Sequence, residues 1–545
     1  MKKISPQLVW GGAVILSVII VFANLFFALQ VAKTKLPNVS YYGFPIRFLG
    51  DTLTNVFRIK LGQEGTIWYE NAYSDEFTPP VLFEPVYNLV GMVTKPLGLT
   101  PLESYELFHF ITLALFIIAI GGLITPMFTR IPGRILAMVL FLTSTSIWSV
   151  KEGVGLTGIV NPPSYSDYFD VFTKINDMKA HHLLAQVTMI GIFLLLARNN
   201  LTKKHLIVLF LLAFSLGFLN PYLSIYAGIF IGFECCIRLA IKKGQSWPSL
   251  IPGILVLATL IPLVVYHGYI LNTYWKVDID MGGTTVWAPR GYSLMTYVLS
   301  LGPVFFVSLP AIVLKQVRTH RLGRLLLIWG FLPMVLFYLP DLHIPMSAYR
   351  LFQSYQQIPL SILAAVVLVW GFSKLRIPVI VGGIVIGLLA TAYAYPPYKE
   401  QFLVHTDPWN NFFLTQNLMQ QSLPILAALE KQSPKNSIVI ASEAVSMFIP
   451  IFTHGKALMA HPGTNPNFPE KSRVGYTILM GQMPVGDVGP ALKKYRISYI
   501  LFGTETPGSP VVPFTATPYT TLPFLKVIYT EGYKSIVEVD QNALK

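Results

Sequence analysis

Along the first 395 residues, apolar positions come in long unbroken runs and not in the alternating or amphipathic patterns of a soluble fold. The runs occupy 8–32, 105–128, 134–150, 181–198, 205–220, 222–238, 249–270, 293–314, 324–340, 356–373 and 377–395. A helix crosses a hydrocarbon core with roughly 20 residues, so each run crosses or nearly crosses, and about eleven transmembrane helices are predicted. The run 8–32 follows Lys2 and Lys3. At 25 residues it exceeds the apolar core of a signal peptide and reads as an uncleaved first span.

The pattern changes after residue 396. The stretches 437–441 (SIVIA) and 497–502 (ISYILF) read as buried strands, while 417–431 and 488–494 carry helical apolar faces. The stretches 524–529 and 534–539 flank Thr530, Glu531 and Gly532 as a closing hairpin. The expected fold is a polytopic α-helical membrane protein whose transmembrane domain covers 1–396, with an α/β domain at 397–545.

Charge supplies the orientation. With the N-terminus in the cytoplasm, the inward connections hold Lys2, Lys3, Arg130, Arg134, Arg198, Lys203, Lys204, Arg238, Lys242, Lys243, Lys315, Arg318, Arg321, Arg324, Lys374 and Arg376, against no loop acid. That is the positive-inside pattern, and it sends the C-terminal domain outside the cytoplasm of a multi-pass plasma-membrane protein. Composition agrees: 53% of the residues are apolar, 12% are charged, and the mean hydropathy is +0.57. The formal +14 therefore follows topology and does not form a nucleic-acid patch. The two cysteines, Cys235 and Cys236, are adjacent inside an apolar run and exclude a disulfide scaffold.

Three outward segments exceed simple connectors: 33–104, 151–180 and 271–292. The first is the most acidic, and its residues 47–61 have the spacing of an amphipathic helix lying on the outer leaflet. Walker, dinucleotide, HExxH and GxSxG signatures are all absent from the sequence, and few ionisable side chains lie at mid-membrane depth. Polar chemistry is thus concentrated at the outer interface.

The first span, an early Asp in a long acidic outer loop (GDTLTNVF, Asp51), the many further spans and the exterior α/β domain together resemble the GT-C superfamily of membrane glycosyltransferases. The blocks GQEGTIWYENAYSDEFTPP, KAHHLLAQ, LNPY and SAYRLFQSYQQIPL look like a bacterial branch with that architecture, of the polyprenyl-phosphate-sugar-dependent type. The resemblance implies transfer of a sugar from a polyprenyl-phosphate donor to an extracytoplasmic glycan, lipid or protein acceptor. A carboxylate takes the acceptor proton, and cations or a metal stabilise the departing phosphate.

On that resemblance Asp51 is the candidate base and Glu76 the second catalytic carboxylate, with Asp75 and His181 in supporting or acceptor roles. Arg350, His182, Arg290 and Lys179 are the candidate phosphate ligands. The sequence fixes no cofactor; a divalent cation is the one candidate, and the metal is left unknown. Two other readings of the layout stay open: a transporter or flippase of a lipid-linked glycan, and a non-catalytic membrane assembly protein.

Overall fold

A computed structural model describes residues 5–35, 49–150, 159–160, 178–198, 200–241, 249–274, 294–337, 354–405, 411–460, 465–504 and 511–544. The chain folds as two compact units. One comprises Met1–Val31, Leu107–His267 and Ile279–Asp407; the other comprises Ala32–Glu106, Gly268–Asp278 and Pro408–Lys545. In chain order the elements up to residue 405 are α1 (Pro6–Lys35), α2 (Leu49–Gln63), α3 (Val86–Thr94), α4 (Pro101–Ile124), α5 (Ile131–Leu142), the strands β1 (Ser149–Val150) and β2 (Ile159–Val160), α6 (Ala180–Leu196), α7 (Lys203–Leu219), α8 (Pro221–Ile241) and α9 (Ile251–Thr273). They continue with α10 (Leu294–Leu301), α11 (Pro303–Ser308), α12 (Lys315–Thr319), α13 (Arg321–Phe337), α14 (Gln357–Lys374) and α15 (Val379–His405).

Every apolar run carries helix. Among the described residues six helices are long and apolar enough to cross a membrane, and a seventh is obtained if the bent pair α10–α11 counts as one span. The protein is therefore polytopic and α-helical. Ile380, Ile384 and Leu388 expose an apolar stripe along α15, the surface expected of a helix solvated by lipid.

Two runs depart from continuous helix, each for a local reason. The run at 134–150 stops being helical at Leu142, where Thr143 and Ser144 turn their hydroxyls onto the carbonyls of Val139 and Phe141. The chain beyond becomes extended; Trp148 donates to the Tyr393 carbonyl at 3.0 Å, and β1 pairs antiparallel with β2. The run at 293–314 bends by 90° at Gly302. That residue has φ +76°, and a Cβ there would lie 1.8 Å from the Thr145 carbonyl oxygen, so only glycine fits the break.

The first unit also buries charge. Glu234 on α8, 1% exposed, meets Arg324 at 2.9 Å and both Arg238 and Arg321 at 3.3 Å. Arg321 further donates to the Leu196 carbonyl at the end of α6. A buried carboxylate persists only with such pairing, so this cluster clamps α6, α8 and α13 together.

The second unit adds α16 (Asn411–Gln432), β3 (Ile438–Ile440), α17 (Glu443–Ser446), α18 (Ile449–Phe452), β4 (Lys456–Ala457), α19 (Phe468–Leu479), α20 (Val485–Lys494), β5 (Ile497–Phe502), β6 (Leu525–Glu531) and β7 (Lys534–Val539). The sheet order is β4-β3-β5-β7-β6; β3 is parallel to both neighbours, and the β6–β7 hairpin closes the other edge antiparallel. Ile440, Ile500, Phe502 and Val537 pack against Ile478 and Leu479 of α19 and Val488 and Leu492 of α20. Tyr499 donates to the Gln432 carbonyl at the end of α16.

Helices α2 and α3 belong to this unit and cross at van der Waals limits. A Cβ on Gly62 would lie 1.9 Å from the Asn88 carbonyl oxygen, and one on Gly91 would lie 2.0 Å from that of Ile59. Residues 52–59 of α2 are all buried, polar face included. The expected surface-lying amphipathic helix is therefore corrected to a core helix; the exposed apolar stripe is Leu89, Val93 and Leu97, on and just after α3.

Candidate active site

The loop following α2 places the acidic pair. Tyr69 and Val81 form an antiparallel bridge, with N–H···O distances of 2.8 and 3.0 Å. Inside it, Asn71 Oδ1 accepts from the Tyr73 N–H at 3.0 Å, and Ser74 Oγ accepts from the Glu76 N–H at 3.2 Å. These short side-chain caps fold YSDE into a turn that sets Asp75 and Glu76 side by side.

Two buried tyrosines anchor the turn. Tyr73 donates its hydroxyl to the Leu53 carbonyl at 3.1 Å, and its ring meets Phe57 edge-on at 5.7 Å. Tyr69 lies 4.7 Å from the Arg58 guanidinium, which also pairs with Glu84 and Asn55. Burial pushes the Tyr69 phenol up to about 12, with Arg58 opposing, and holds Tyr73 well above the usual phenol range. Both are neutral structural groups.

The same loop is stitched to the sheet. Ala457 of β4 donates its N–H to the Ala72 carbonyl at 2.9 Å, and Lys456 meets Glu70 at 3.0 Å. Lys471, in the first turn of α19 and 3% exposed, meets Asp75 at 2.6 Å and Glu76 at 3.2 Å. It also donates to Asn465 Oδ1 at 3.0 Å and approaches Ser74 Oγ at 3.5 Å. Asp75 is 14% exposed and Glu76 34% exposed. The arrangement is one buried ammonium between an inner and an outer carboxylate, with the outer one open to a ligand.

Asp51 falls in the first turn of α2, and its side chain lies outside the described residues. Arg290 and Arg350 lie outside them altogether. In the first unit, Lys179 is the N-cap of α6 and its carbonyl accepts from the His182 N–H at 2.9 Å. His181 is buried and His182 half-buried, with ring centroids 4.4 Å apart. The structure thus gathers Lys179, His181 and His182 at one helix start, and Asp75 with Glu76 at one turn.

Sequence reasoning missed two partners of these groups. Tyr355 shares a 3.1 Å hydrogen bond with His182 Nδ1 from a left-handed backbone, φ +54°. Its neighbours hold it there: Trp329 donates to the Ser354 carbonyl at 2.5 Å, while Gln356 accepts from Tyr297 at 2.5 Å and donates to the Gly330 carbonyl at 2.7 Å. The block SYQQ was legible as a motif, although its role was not. Lys471, the other, carries no local signal at all.

Among the described residues, no group of three or more His, Cys, Asp or Glu side chains is placed to hold a metal ion. The nearest candidate donor pair, Asp75 and Glu76, is engaged by the Lys471 ammonium.

No family model matches the sequence, and a search of curated proteins finds no match. Solved structures do match. The oligosaccharyltransferase AglB from Archaeoglobus fulgidus, in complex with an inhibitory peptide and a dolichol-phosphate, is 12% identical with a TM-score of 0.51 over 88% of this chain and 69% of that one. An Archaeoglobus fulgidus oligosaccharyltransferase in the apo form gives 0.55 at 12% identity over 92% of this chain and 70% of that one. ArnT from Cupriavidus metallidurans in the apo state gives 0.51 at 11% identity over 98% of this chain and 99% of that one. The chain therefore has the fold shared by these solved structures, a GT-C-like fold.

Proposed function

We propose that this chain is an integral membrane glycosyltransferase that moves a sugar from a polyprenyl-phosphate-linked donor to an extracytoplasmic glycan, lipid or protein acceptor. The observation that carries the reading is the turn presenting a half-exposed Glu76 beside a buried Asp75–Lys471 pair, in a chain of this fold. The dolichol-phosphate bound by the archaeal neighbour supports a lipid phosphate as the donor's leaving group.

The chemistry balances simply. The acceptor hydroxyl attacks the anomeric carbon, its proton passes to a carboxylate, and the bond from that carbon to the phosphate oxygen breaks to release polyprenyl phosphate. Asp51 is the base, Glu76 assists or holds the acceptor, and Asp75 and His181 support them. Arg350, His182, Arg290 and Lys179 serve the phosphate, with Arg350 offering a bidentate fork. A divalent cation is the alternative means of stabilising that charge. The N-terminus faces the cytoplasm, residues 1–396 form the membrane domain, and 397–545 lie on the extracytoplasmic side.

The deciding experiment incubates purified protein with a panel of polyprenyl-phosphate sugars, with and without acceptors and with and without chelator. Acceptor-dependent release of free polyprenyl phosphate is the expected result. Protein-mediated movement of the intact lipid-linked sugar between leaflets, without release, would replace the enzyme by a flippase.

A further inference from the structure

Among the described residues Lys471 is the most deeply enclosed cation of the candidate site, and its surroundings are unequal. Its ammonium donates to Asn465 Oδ1 at 3.0 Å, Glu76 Oε1 at 3.2 Å and Ser74 Oγ at 3.5 Å, and it forms an ion pair with Asp75 at 2.6 Å. Asn465 is itself fixed, since its amide donates to the Leu458 carbonyl at 2.7 Å beside β4. Ser74 behind the ammonium is fully buried. An ammonium at this depth requires every donor satisfied, so Asp75 and Asn465 set where Lys471 sits, and Lys471 in turn sets Glu76. Glu76 is the most exposed of these five side chains.

We propose that Lys471 is a positioning residue for Glu76: by holding Oε1 from the buried side, it presents Oε2 to the acceptor hydroxyl, while Asp75 serves as the counter-charge that keeps Lys471 in place. This rests on the glycosyltransferase reading above. It divides the two adjacent carboxylates into one that meets substrate and one that does not. It also gives the C-terminal fold a part in acceptor engagement, through a single side chain of α19.

The test compares full-length wild type with Lys471→Met, Lys471→Arg, Glu76→Gln and the double variant Glu76→Gln/Lys471→Met, reading acceptor-dependent polyprenyl-phosphate release, donor binding and thermal stability. Lys471→Met is expected to lower kcat/KM for the acceptor about 30-fold or more with donor affinity within about twofold of wild type, and Lys471→Arg to recover most of the loss. If Lys471 acts through Glu76, the double variant is no slower than Glu76→Gln by more than about twofold.

Lys471→Met strands the buried Asp75 carboxylate, so the same comparison is run in an Asp75→Asn background, where no buried charge is left unpaired. Multiplied losses in the double variant, or folded Lys471→Met protein with wild-type kcat and acceptor KM, overturn the assignment while leaving the glycosyltransferase intact. A wild type that releases no polyprenyl phosphate from any donor overturns the reading of the chain, and this assignment with it.

Discussion

The ammonium of Lys60 on α2 donates to the main-chain carbonyl of Thr453 at 2.6 Å, and to that of Pro450 at 3.0 Å, closing the C-terminal end of α18. Those carbonyls have no helical partner, so the lysine acts as a cap supplied from a distant stretch of chain. Burial lowers its proton affinity, with Glu64 and Glu430 opposing. Lys60→Met should cost about 1–3 kcal/mol by leaving two carbonyls unsatisfied, read as a lowered thermal midpoint. An unchanged midpoint would show that α2 and α18 are held by other contacts.

The crossing of α2 and α3 depends on two missing side chains. Gly62→Ala forces a methyl to 1.9 Å from the Asn88 carbonyl oxygen and should destabilise the protein by about 2–4 kcal/mol. Gly486→Ala, in α20 with nothing within 4 Å of the added methyl, is the matched control and should be neutral or mildly stabilising. Comparable losses at both sites would contradict the close crossing.

The buried phenols predict an alkaline limit. Tyr69 titrates near 12 when folded and near 10 when unfolded, so its neutral form contributes stability that is present below pH 10 and is lost as pH rises toward 12. Tyr73 adds in the same direction. Thermal midpoints between pH 9 and 12 should fall less steeply for Tyr69→Phe than for wild type; identical slopes would mean that other groups set the limit.

Among the carboxylates, Asp51→Asn keeps the shape and removes the proton acceptor. It should abolish turnover while preserving expression and donor binding. Glu76→Gln should cost less if Asp51 is the base, and as much if Glu76 is. Retained turnover in Asp51→Asn removes that residue from the mechanism.

Topology has its own check. A reporter fused after Lys545 should be extracytoplasmic, and one inserted after Asn200, ahead of the Thr202 cap of α7, should be cytoplasmic. A cytoplasmic C-terminus would put Glu76 and Lys471 on the wrong side for a lipid-linked donor.

The membrane helices were legible because lipid forces each span to be apolar along its whole length, and the strands at 438–440 and 497–502 because a sheet buried on both faces reads as a continuous apolar run. What the pattern could not show was what covers a polar face. Thr52, Thr54, Asn55 and Arg58 look like the wet side of an amphipathic helix, yet all four are buried, with Arg58 paired to Asn55 and to Glu84 of the same loop. Lys471 is the extreme case. Its helical neighbours Glu470 and Arg473 are exposed charges, and only burial against Asp75 and Glu76 distinguishes it from them. Turn chemistry fared in between: the caps from Asn71 and Ser74 follow known local rules, but they matter only once Tyr69 and Tyr73 are seen to be anchored.

The stitching of residues 70–76 to β4 and α19 also sets a clock on biosynthesis. Glu76 leaves the ribosome 395 residues before Lys471. At ordinary elongation rates that is a delay of roughly 20–80 seconds during which the YSDE turn has no partner on its buried side. A nascent chain in that interval holds its spans in lipid with the acidic turn unfastened, and long-range closures of this kind are the slow steps of folding. The YSDE turn, on this geometry, is set late: it waits for Lys471, and a ribosome that stalls before α19 leaves a membrane-inserted chain whose turn has not been fastened.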